Sequence, residues 1–381
     1  MRAEARIDLD AVRGNIAAVR ARVGAAEVMA VVKADAYGHG MVPCARAARE
    51  AGATWLGTAV PEEALALRAA GDTGRVLTWL WAPGDPFEDA VRADVDISVS
   101  GLWALAEVVD AARASGRVAR VHLKADTGLG RNGCVPADWP ALVEAALKAR
   151  ADGVLDVVGL WSHFARADEP GDPSIEAQLD AFTAMCEHAE RSGVTPEVRH
   201  MANSPALLLL PGAHFDLVRA GLATYGLSPV PDIGGPVDFG LRPAMTLRAT
   251  LANVKRVPAG SGVSYGHAWV APRASTLALV PAGYADGVPR HASNTGEVLV
   301  GGRRRPITGR VAMDQFVVDL GDDTAHVGDE AILFGPGDRG EPTAQDWAVA
   351  CDTIAYEIVT RIGVRVPRVY DGAAGECPDT P

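Results

Sequence analysis

The sequence predicts an α/β architecture: an N-terminal (β/α)8 barrel of the TIM type over residues 10–238, then a mainly antiparallel β domain over 239–381. Three observations carry this. Eight short Val/Leu/Ile-rich runs lie near 28–32, 55–59, 76–81, 96–99, 119–123, 155–160, 197–201 and 217–220. Alanine-rich segments of helical period separate them, among them 39–51, 61–70, 101–115, 137–151 and 174–192. A continuous apolar run bounded by polar residues reads as a strand buried on both faces, and an apolar stripe at helical period reads as a helix packed on it. Eight such repeats over roughly 230 residues fit a closed barrel. The alternative, a doubly wound open sheet, would more often place a Gly-x-Gly-x-x-Gly loop after its first strand, and none follows Val32.

The third observation is a change of texture beyond residue 240. Short strand-like runs at 245–257, 276–280, 297–300, 315–320 and 330–334 are separated by turns rich in Gly, Pro and Asp, such as 258–260, Gly301-Gly302 and 335–337. Helical patterns remain only at 343–350 and 353–361. That is the signature of an antiparallel domain, with the boundary near 236–243. The tail from Ala373, with Pro378 and Pro381, is expected to be mobile.

Composition narrows the class. The 381 residues suffice for two or three domains, and 48% hydrophobic with 22% charged residues is ordinary for a globular protein. A net charge of −12, from 36 Lys+Arg against 48 Asp+Glu, argues against nucleic acid or an anionic membrane as the main partner. The five cysteines are scattered and form no Cys-x-x-Cys pair, so zinc and thioredoxin-like readings are weak and a reducing compartment is suited. The first residues, Met-Arg-Ala-Glu-Ala-Arg, hold no apolar stretch of signal-peptide type, and no run approaches a membrane span. A cytoplasmic protein without a metal is expected.

In a barrel the chemistry sits at the C-terminal ends of the strands. The first run ends at Lys33, with Tyr37 close behind; a lysine at the mouth of an apolar site can lose its proton and attack a carbonyl. Lys124-Ala-Asp126-Thr-Gly-Leu-Gly-Arg131 follows the fifth run and Trp161-Ser-His163 the sixth. His200-Met-Ala-Asn203-Ser204 follows the seventh, and Arg219-Ala-Gly221-Leu222 the eighth. Singly, Lys33 reads as a surface lysine, His163 as a satisfied core histidine, Arg219 as an ion-pair partner and the glycines after Asp126 as a turn. Gathered at one rim, they read as a site.

The segment Val-Val-Lys-Ala-Asp-Ala-Tyr-Gly-His-Gly resembles the pyridoxal-phosphate attachment segment of alanine racemases at every position. The resemblance runs from about Arg6 to Tyr370 and continues through the motifs at 124–131, 162–165, 203–204, 218–226, 263–266, 283–287, 309–315 and 355–357. It implies that Lys33 carries pyridoxal 5'-phosphate as an internal Schiff base and is the base for D-alanine, with Tyr265 the base for L-alanine. It gives Arg131 and the Met313 backbone to the substrate carboxylate, and Arg219, supported by His163, to the pyridine nitrogen. Tyr37, Ser204, Gly221, Leu222 and Tyr356 fall to the phosphate, Asn203 to the cofactor site, and Tyr284 and Arg290 to the entrance. Lys124 matches a lysine often carried as a carbamate; the plain alternative pairs it with Asp126. Ala312 stands where some members have cysteine. The family is a homodimer with sites shared between chains, so Tyr265 and Met313 would act in trans, and residues 1–9 would pack on the β domain. The product D-alanine would serve peptidoglycan.

Elementary chemistry agrees with these assignments. A phosphate needs backbone amides and hydroxyls more than another charge, and Ser204 opening a helix beside Gly221-Leu222 offers them. A guanidinium cannot accept the pyridine proton, so Arg219 makes the ring a weaker electron sink. That suits proton removal and return at one carbon and disfavours transamination. Racemisation needs a base on each face, and for a phenol such as Tyr265 a nearby cation, Arg131, would lower its pKa. Rival readings are a serine or broad-range racemase, a barrel-plus-β decarboxylase, against which Arg219 argues, and a cofactor carrier, against which Tyr265 argues.

Overall fold

The computed structural model describes residues 2–372, so the tail from Ala373 lies outside the described residues. The chain opens with strand β1 (Ala3–Asp8) and the helix Leu9–Val23, whose first turn is capped by Asp8 accepting from the Ala11 amide at 2.9 Å. Then come the eight parallel strands β2 (Glu27–Val31), β3 (Trp55–Thr58), β4 (Arg75–Thr78), β5 (Asp96–Val99), β6 (Ala119–Lys124), β7 (Leu155–Trp161), β8 (Val198–His200) and β9 (Leu217–Ala220). Their order around the sheet is β8-β7-β6-β5-β4-β3-β2-β9. The ring closes through backbone bonds from Asp216 N–H to the Arg199 carbonyl, 3.0 Å, and from Arg219 N–H to the Ala202 carbonyl, 2.9 Å. The predicted barrel is therefore present. Its strands are apolar runs because both faces are covered: every residue of β3 and of β5 is buried. The helices Met41–Glu50, Pro61–Ala69, Leu102–Ser115, Trp139–Ala151 and Pro173–Arg191 form the outer layer.

Beyond the barrel lie β10 (Met245–Thr250), β11 (Asn253–Val257), β12 (Gly262–Val263), β13 (Trp269–Val270) and β14 (Ser275–Val280). They are followed by β15 (Glu297–Val300), β16 (Arg303–Pro306), β17 (Phe316–Gly321), β18 (Glu330–Phe334) and β19 (Arg368–Asp371). The expected run 245–257 is two strands in different sheets. Leu251 N–H turns to the Asp329 carbonyl at 2.8 Å and Ala252 N–H to the Leu279 carbonyl at 2.9 Å, which ends β10 and sends β11 to a new partner. A six-stranded sheet has the order β16-β15-β18-β10-β1-β19, and a three-stranded one β11-β14-β17. β1 thus lies between β10, antiparallel, and β19, parallel. The helix Ala355–Thr360 from this region returns to the barrel rim. Among the described residues, no helix is long and apolar enough to cross a membrane.

Candidate active site

A cavity of about 840 Å3 opens at the C-terminal ends of the barrel strands. It gathers Lys33, Tyr37, Lys124, Arg131, His163, Asn203, Ser204, Arg219, Gly221, Leu222 and Tyr356 along its wall. Residues from five strand ends and from the helix Ala355–Thr360 therefore meet in one place.

Lys33 follows β2 and opens an unusual turn. Ala34, Asp35, Ala36 and Tyr37 all have φ between 52° and 54° and ψ between 38° and 51°, one turn of left-handed helix built from non-glycine residues. Such a turn costs roughly 1–2 kcal/mol per residue and persists only where its surroundings hold it. The Ala34 amide donates to Glu63 Oε1 at 2.6 Å, and the Met41 amide to Asp35 Oδ1 at 2.8 Å. The Nδ1 of buried His39 lies 3.0 Å from the carbonyls of both Ala36 and Tyr37. As both partners are acceptors, that nitrogen carries the proton. Burial holds the His39 pKa down at about 4, so the ring is neutral. The turn aims Lys33 across the cavity, its Nζ 5.8 Å from the centroid of the Trp79 ring. Burial pulls the Lys33 ammonium below its usual range; Arg131 adds to this and Glu63 opposes it.

Arg219 projects from β9 into the barrel and is buried. Its Nη2 donates to the carbonyls of Ser162, 2.8 Å, and Met201, 3.0 Å, and approaches His163 Nδ1 at 3.1 Å. Its Nη1 lies 2.9 Å from His200 Nδ1, and His200 Nε2 lies 2.9 Å from His122 Nδ1. A guanidinium only donates, and this fixes both tautomers. His200 accepts at Nδ1 and donates from Nε2; His122 accepts at Nδ1 and keeps its proton on Nε2, which has no partner among the described residues. Burial, then Arg219, hold His200 well below the usual imidazole range, and burial with Arg75 holds His122 at about 3. Burial lowers Arg219 to about 9, leaving it protonated at neutral pH. Trp161 forms the wall of this spine: its ring stacks on His200 at 5.4 Å, with Arg219 at 4.8 Å and Lys124 at 4.3 Å from its face.

At the opposite end of the cavity the groups are neutral donors. Asn203 caps the helix Ser204–Leu209 by accepting from the Ala206 amide at 3.2 Å. Ser204 Oγ accepts from the amides of Gly221, 2.9 Å, and Ala223, 3.3 Å. Leu222 opens a helical turn, and a first amide has no partner within its own turn. A Cβ on Gly221 would come within 2.6 Å of the Tyr37 hydroxyl, so only glycine leaves this cradle open. The rings of Tyr37 and Tyr356 stand 6.2 Å apart. Burial raises the pKa of both, so both hydroxyls remain donors at neutral pH. Amides and hydroxyls converging without a lysine or arginine form a set that a phosphate dianion accepts.

Lys124, at the end of β6, is buried, and burial together with Arg219 and Arg131 lowers its pKa to about 7. It makes no ion pair with Asp126 among the described residues; Asp126 Oδ1 instead accepts from the amides of Gly128, 3.0 Å, and Gly130, 3.1 Å. Those bonds shape the loop that carries the exposed Arg131 to the cavity mouth.

The β-domain candidates stand apart. Tyr265 is 70% exposed, Met313 53% and Tyr284 41%, and Arg290 is exposed as well. None of the four lines the cavity, so a single chain does not bring Tyr265 or Met313 to Lys33, nor Tyr265 to Arg131. They sit on adjoining loops: the Tyr284 amide donates to the Ala312 carbonyl at 3.1 Å and the Ala285 amide to the Met313 carbonyl at 2.9 Å.

Sequence reasoning gave no role to His200, His122, Trp161 or Gln178. Gln178 Nε2 donates to the His163 carbonyl at 3.1 Å, and its Oε1 accepts from the Ala165 amide at 2.9 Å, which fixes the loop bearing His163. His122 had a usable signal. It lies two residues before Lys124, and strand side chains two apart share a face, so both point into the barrel.

Two family models match the chain: alanine racemase N-terminal domain over residues 7–229 and alanine racemase C-terminal domain over 244–370. The chain is similar to the alanine racemase of Streptomyces coelicolor, 66% identical over 375 residues covering 97% of this chain and 96% of that one. It is 63% identical to the alanine racemase of Frankia casuarinae over 370 residues, covering 97% and 96%. Among solved structures, the alanine racemase of the D-cycloserine-producing Streptomyces lavendulae superposes with a TM-score of 0.97 at 66% identity, covering 98% of each chain. That of Bacillus anthracis with bound L-Ala-P superposes with 0.88 at 36% identity, covering 97% and 95%.

Proposed function

The chain belongs to the alanine racemase family and is an isomerase, and on that premise we propose how its own residues interconvert L-alanine and D-alanine. The observation that carries the assignment is the cavity itself, where a partly desolvated lysine, a buried guanidinium and a cradle of neutral donors meet.

The residues present fit pyridoxal 5'-phosphate. Gly221 leaves the cradle open, Ser204, Leu222, Tyr37 and Tyr356 supply donors to a phosphate, and Asn203 fixes the helix that presents Ser204. Arg219 would serve the ring nitrogen, and His163 and His200 hold its guanidinium in place. When bound, the cofactor supplies an electrophilic carbon for the substrate amine and a ring that draws electrons from Cα. Lys33 Nζ would hold the cofactor and, when free, would remove or return the α-proton on the face used by D-alanine. Because Arg219 only donates and could not take up a proton from the ring, it would make the ring a weaker electron sink, which favours return of the proton to Cα over its delivery elsewhere.

The second base is Tyr265 of the partner subunit. The exposure of Tyr265, Met313, Tyr284 and Arg290 on one side of the β domain supports a homodimer in which that side closes the barrel mouth of the other copy. Arg131 and the amide of Met313 of the partner subunit then bind the substrate carboxylate, and Tyr284 and Arg290 line the approach. Lys124, with its pKa lowered to about 7, offers a substantial fraction of neutral amine, which carbon dioxide can convert to a carbamate with loss of a proton, placing a negative charge against Arg131. The enzyme works in the cytoplasm and its D-alanine supplies peptidoglycan.

The test is a spectrum of the purified protein, followed by circular dichroism and deuterium uptake at Cα with L-alanine, D-alanine and L-serine. Bound cofactor with rapid racemisation of alanine and little of serine is expected. Racemisation of serine would move the substrate, release of carbon dioxide would move the reaction, and failure to bind pyridoxal phosphate would overturn the reading of Lys33.

A further inference from the structure

The left-handed turn after Lys33 is held from the far end of the chain. Arg368, the first residue of β19, donates from Nε to the Gly38 carbonyl at 3.0 Å. The same guanidinium donates from Nη1 to the carbonyls of Gly363 and Val366, each at 2.8 Å, and from Nη2 to that of Ile362 at 2.6 Å. All four acceptors are backbone carbonyls; among the described residues Arg368 makes no ion pair. One carbonyl closes the turn that bears Tyr37, and the other three belong to the segment just after the helix that bears Tyr356. The two glycines of the Gly-His-Gly stretch admit this clamp. A Cβ on Gly38 would overlap the Val359 carbonyl, and one on Gly40 would overlap the hydroxyl of Tyr370, also on β19.

This arrangement has a consequence for the cradle. Tyr37 and Tyr356 come from different domains, and nothing in either element alone sets the 6.2 Å between their rings. The turn is intrinsically disfavoured, so its carbonyls need fixed donors if it is to keep its shape. A planar guanidinium with five donors holds several carbonyls at set angles, which an ammonium does not do.

We propose that Arg368 is a positioning residue for the phosphate end of the cofactor site: by tying the Tyr37 turn to the segment behind the Tyr356 helix, it sets the gap between the two phenols. The proposal rests on the cofactor reading above. It assigns no contact between Arg368 and cofactor or substrate.

The test compares Arg368→Gln and the milder Arg368→Lys with Arg6→Gln. The last loosens the same strand by removing the ion pair between Arg6 and Asp371 without touching the turn. Two quantities are measured: amide hydrogen exchange over 33–40 and 355–363 in protein stripped of cofactor, and the dissociation constant of pyridoxal phosphate by absorbance titration. Arg368→Gln is expected to speed exchange in both segments together and to weaken cofactor binding about tenfold or more. Arg368→Lys should fall between it and the parent, and Arg6→Gln should change neither segment. Unchanged exchange in Arg368→Gln overturns the tie. Faster exchange with unchanged cofactor affinity overturns the positioning role, as does an equal loss of affinity in Arg6→Gln. A parent protein that takes up no pyridoxal phosphate overturns the functional reading instead, and in that case coupled exchange still supports the tie.

Discussion

The barrel mouth and the exposed face of the β domain hold the two halves of the proposed site in opposite conditions. At the mouth, Lys33, Lys124, His163, His200 and Arg219 are desolvated, their charges pushed toward neutrality, and nearly every polar atom of the spine has a partner. On the β domain, Tyr265 and Met313 stand in solvent. The difference teaches that one chain preorganises the half proposed for the cofactor but leaves the proposed second base exposed. A phenol in water is a poor base at neutral pH. On the proposed reading, activity depends on a second copy bringing Tyr265 to the barrel mouth, beside Arg131.

The comparison can be broken most directly at Lys33. Lys33→Ala should abolish the cofactor's visible absorbance and lower racemisation by at least about 10³-fold with either enantiomer; a reducible covalent adduct in this variant would move the attachment point. Next in size is Tyr265→Phe, which should slow deuterium exchange from L-alanine by about 10²-fold or more while sparing exchange from D-alanine. Equal losses would argue against one base per face. Mixing inactive Lys33→Ala and Tyr265→Phe subunits should restore part of the activity, since one site of each mixed dimer is intact; no recovery after subunit exchange would place both bases in one chain. Arg219→Glu should give a smaller fall in racemisation and a rise in pyruvate from side transamination, measured with a coupled dehydrogenase, and an unchanged product ratio would count against the weak-sink argument.

The smallest effect concerns two buried histidines, His39 under the left-handed turn and His122 at the end of the spine. The ring of His39 titrates at about 4 and that of His122 at about 3 in the folded state, against an ordinary value of 6.5. The unfolded chain therefore binds more protons at acid pH. Stability is complete above about 6.5 and declines as pH falls through about 4 and then 3. His122→Phe should flatten that decline in urea titrations at several pH values; an unchanged slope would mean that His122 is not held neutral.

The barrel was legible because most of its strands are short apolar runs ending in polar residues, with β8, Val198–His200, the weakest of them. β16 was not read as a strand. Three consecutive arginines at 303–305 carry no apolar alternation; they mark an edge strand, where charge deters further pairing. Site residues at strand tips could be read because position in the barrel implies function. The left-handed turn could not. Nothing in Ala-Asp-Ala-Tyr favours that conformation locally, and the contacts that impose it come from Glu63, His39 and Arg368. His200 was placed at a strand end but given no role for a related reason, since its importance lies in a tautomer dictated by Arg219.

The threading of β1 between β10 and β19 governs how the molecule comes into being. Ala5 pairs with Leu247 on one side and with Arg368 on the other, so β1 is fully paired only once β19, far later in the chain, has been made. Until then its edges are unpaired and open to other chains. Pairing so distant in sequence is slow to form. A nascent chain halted after the barrel would therefore carry a sticky N-terminal strand, and chaperone demand should peak in the interval before residue 371 emerges.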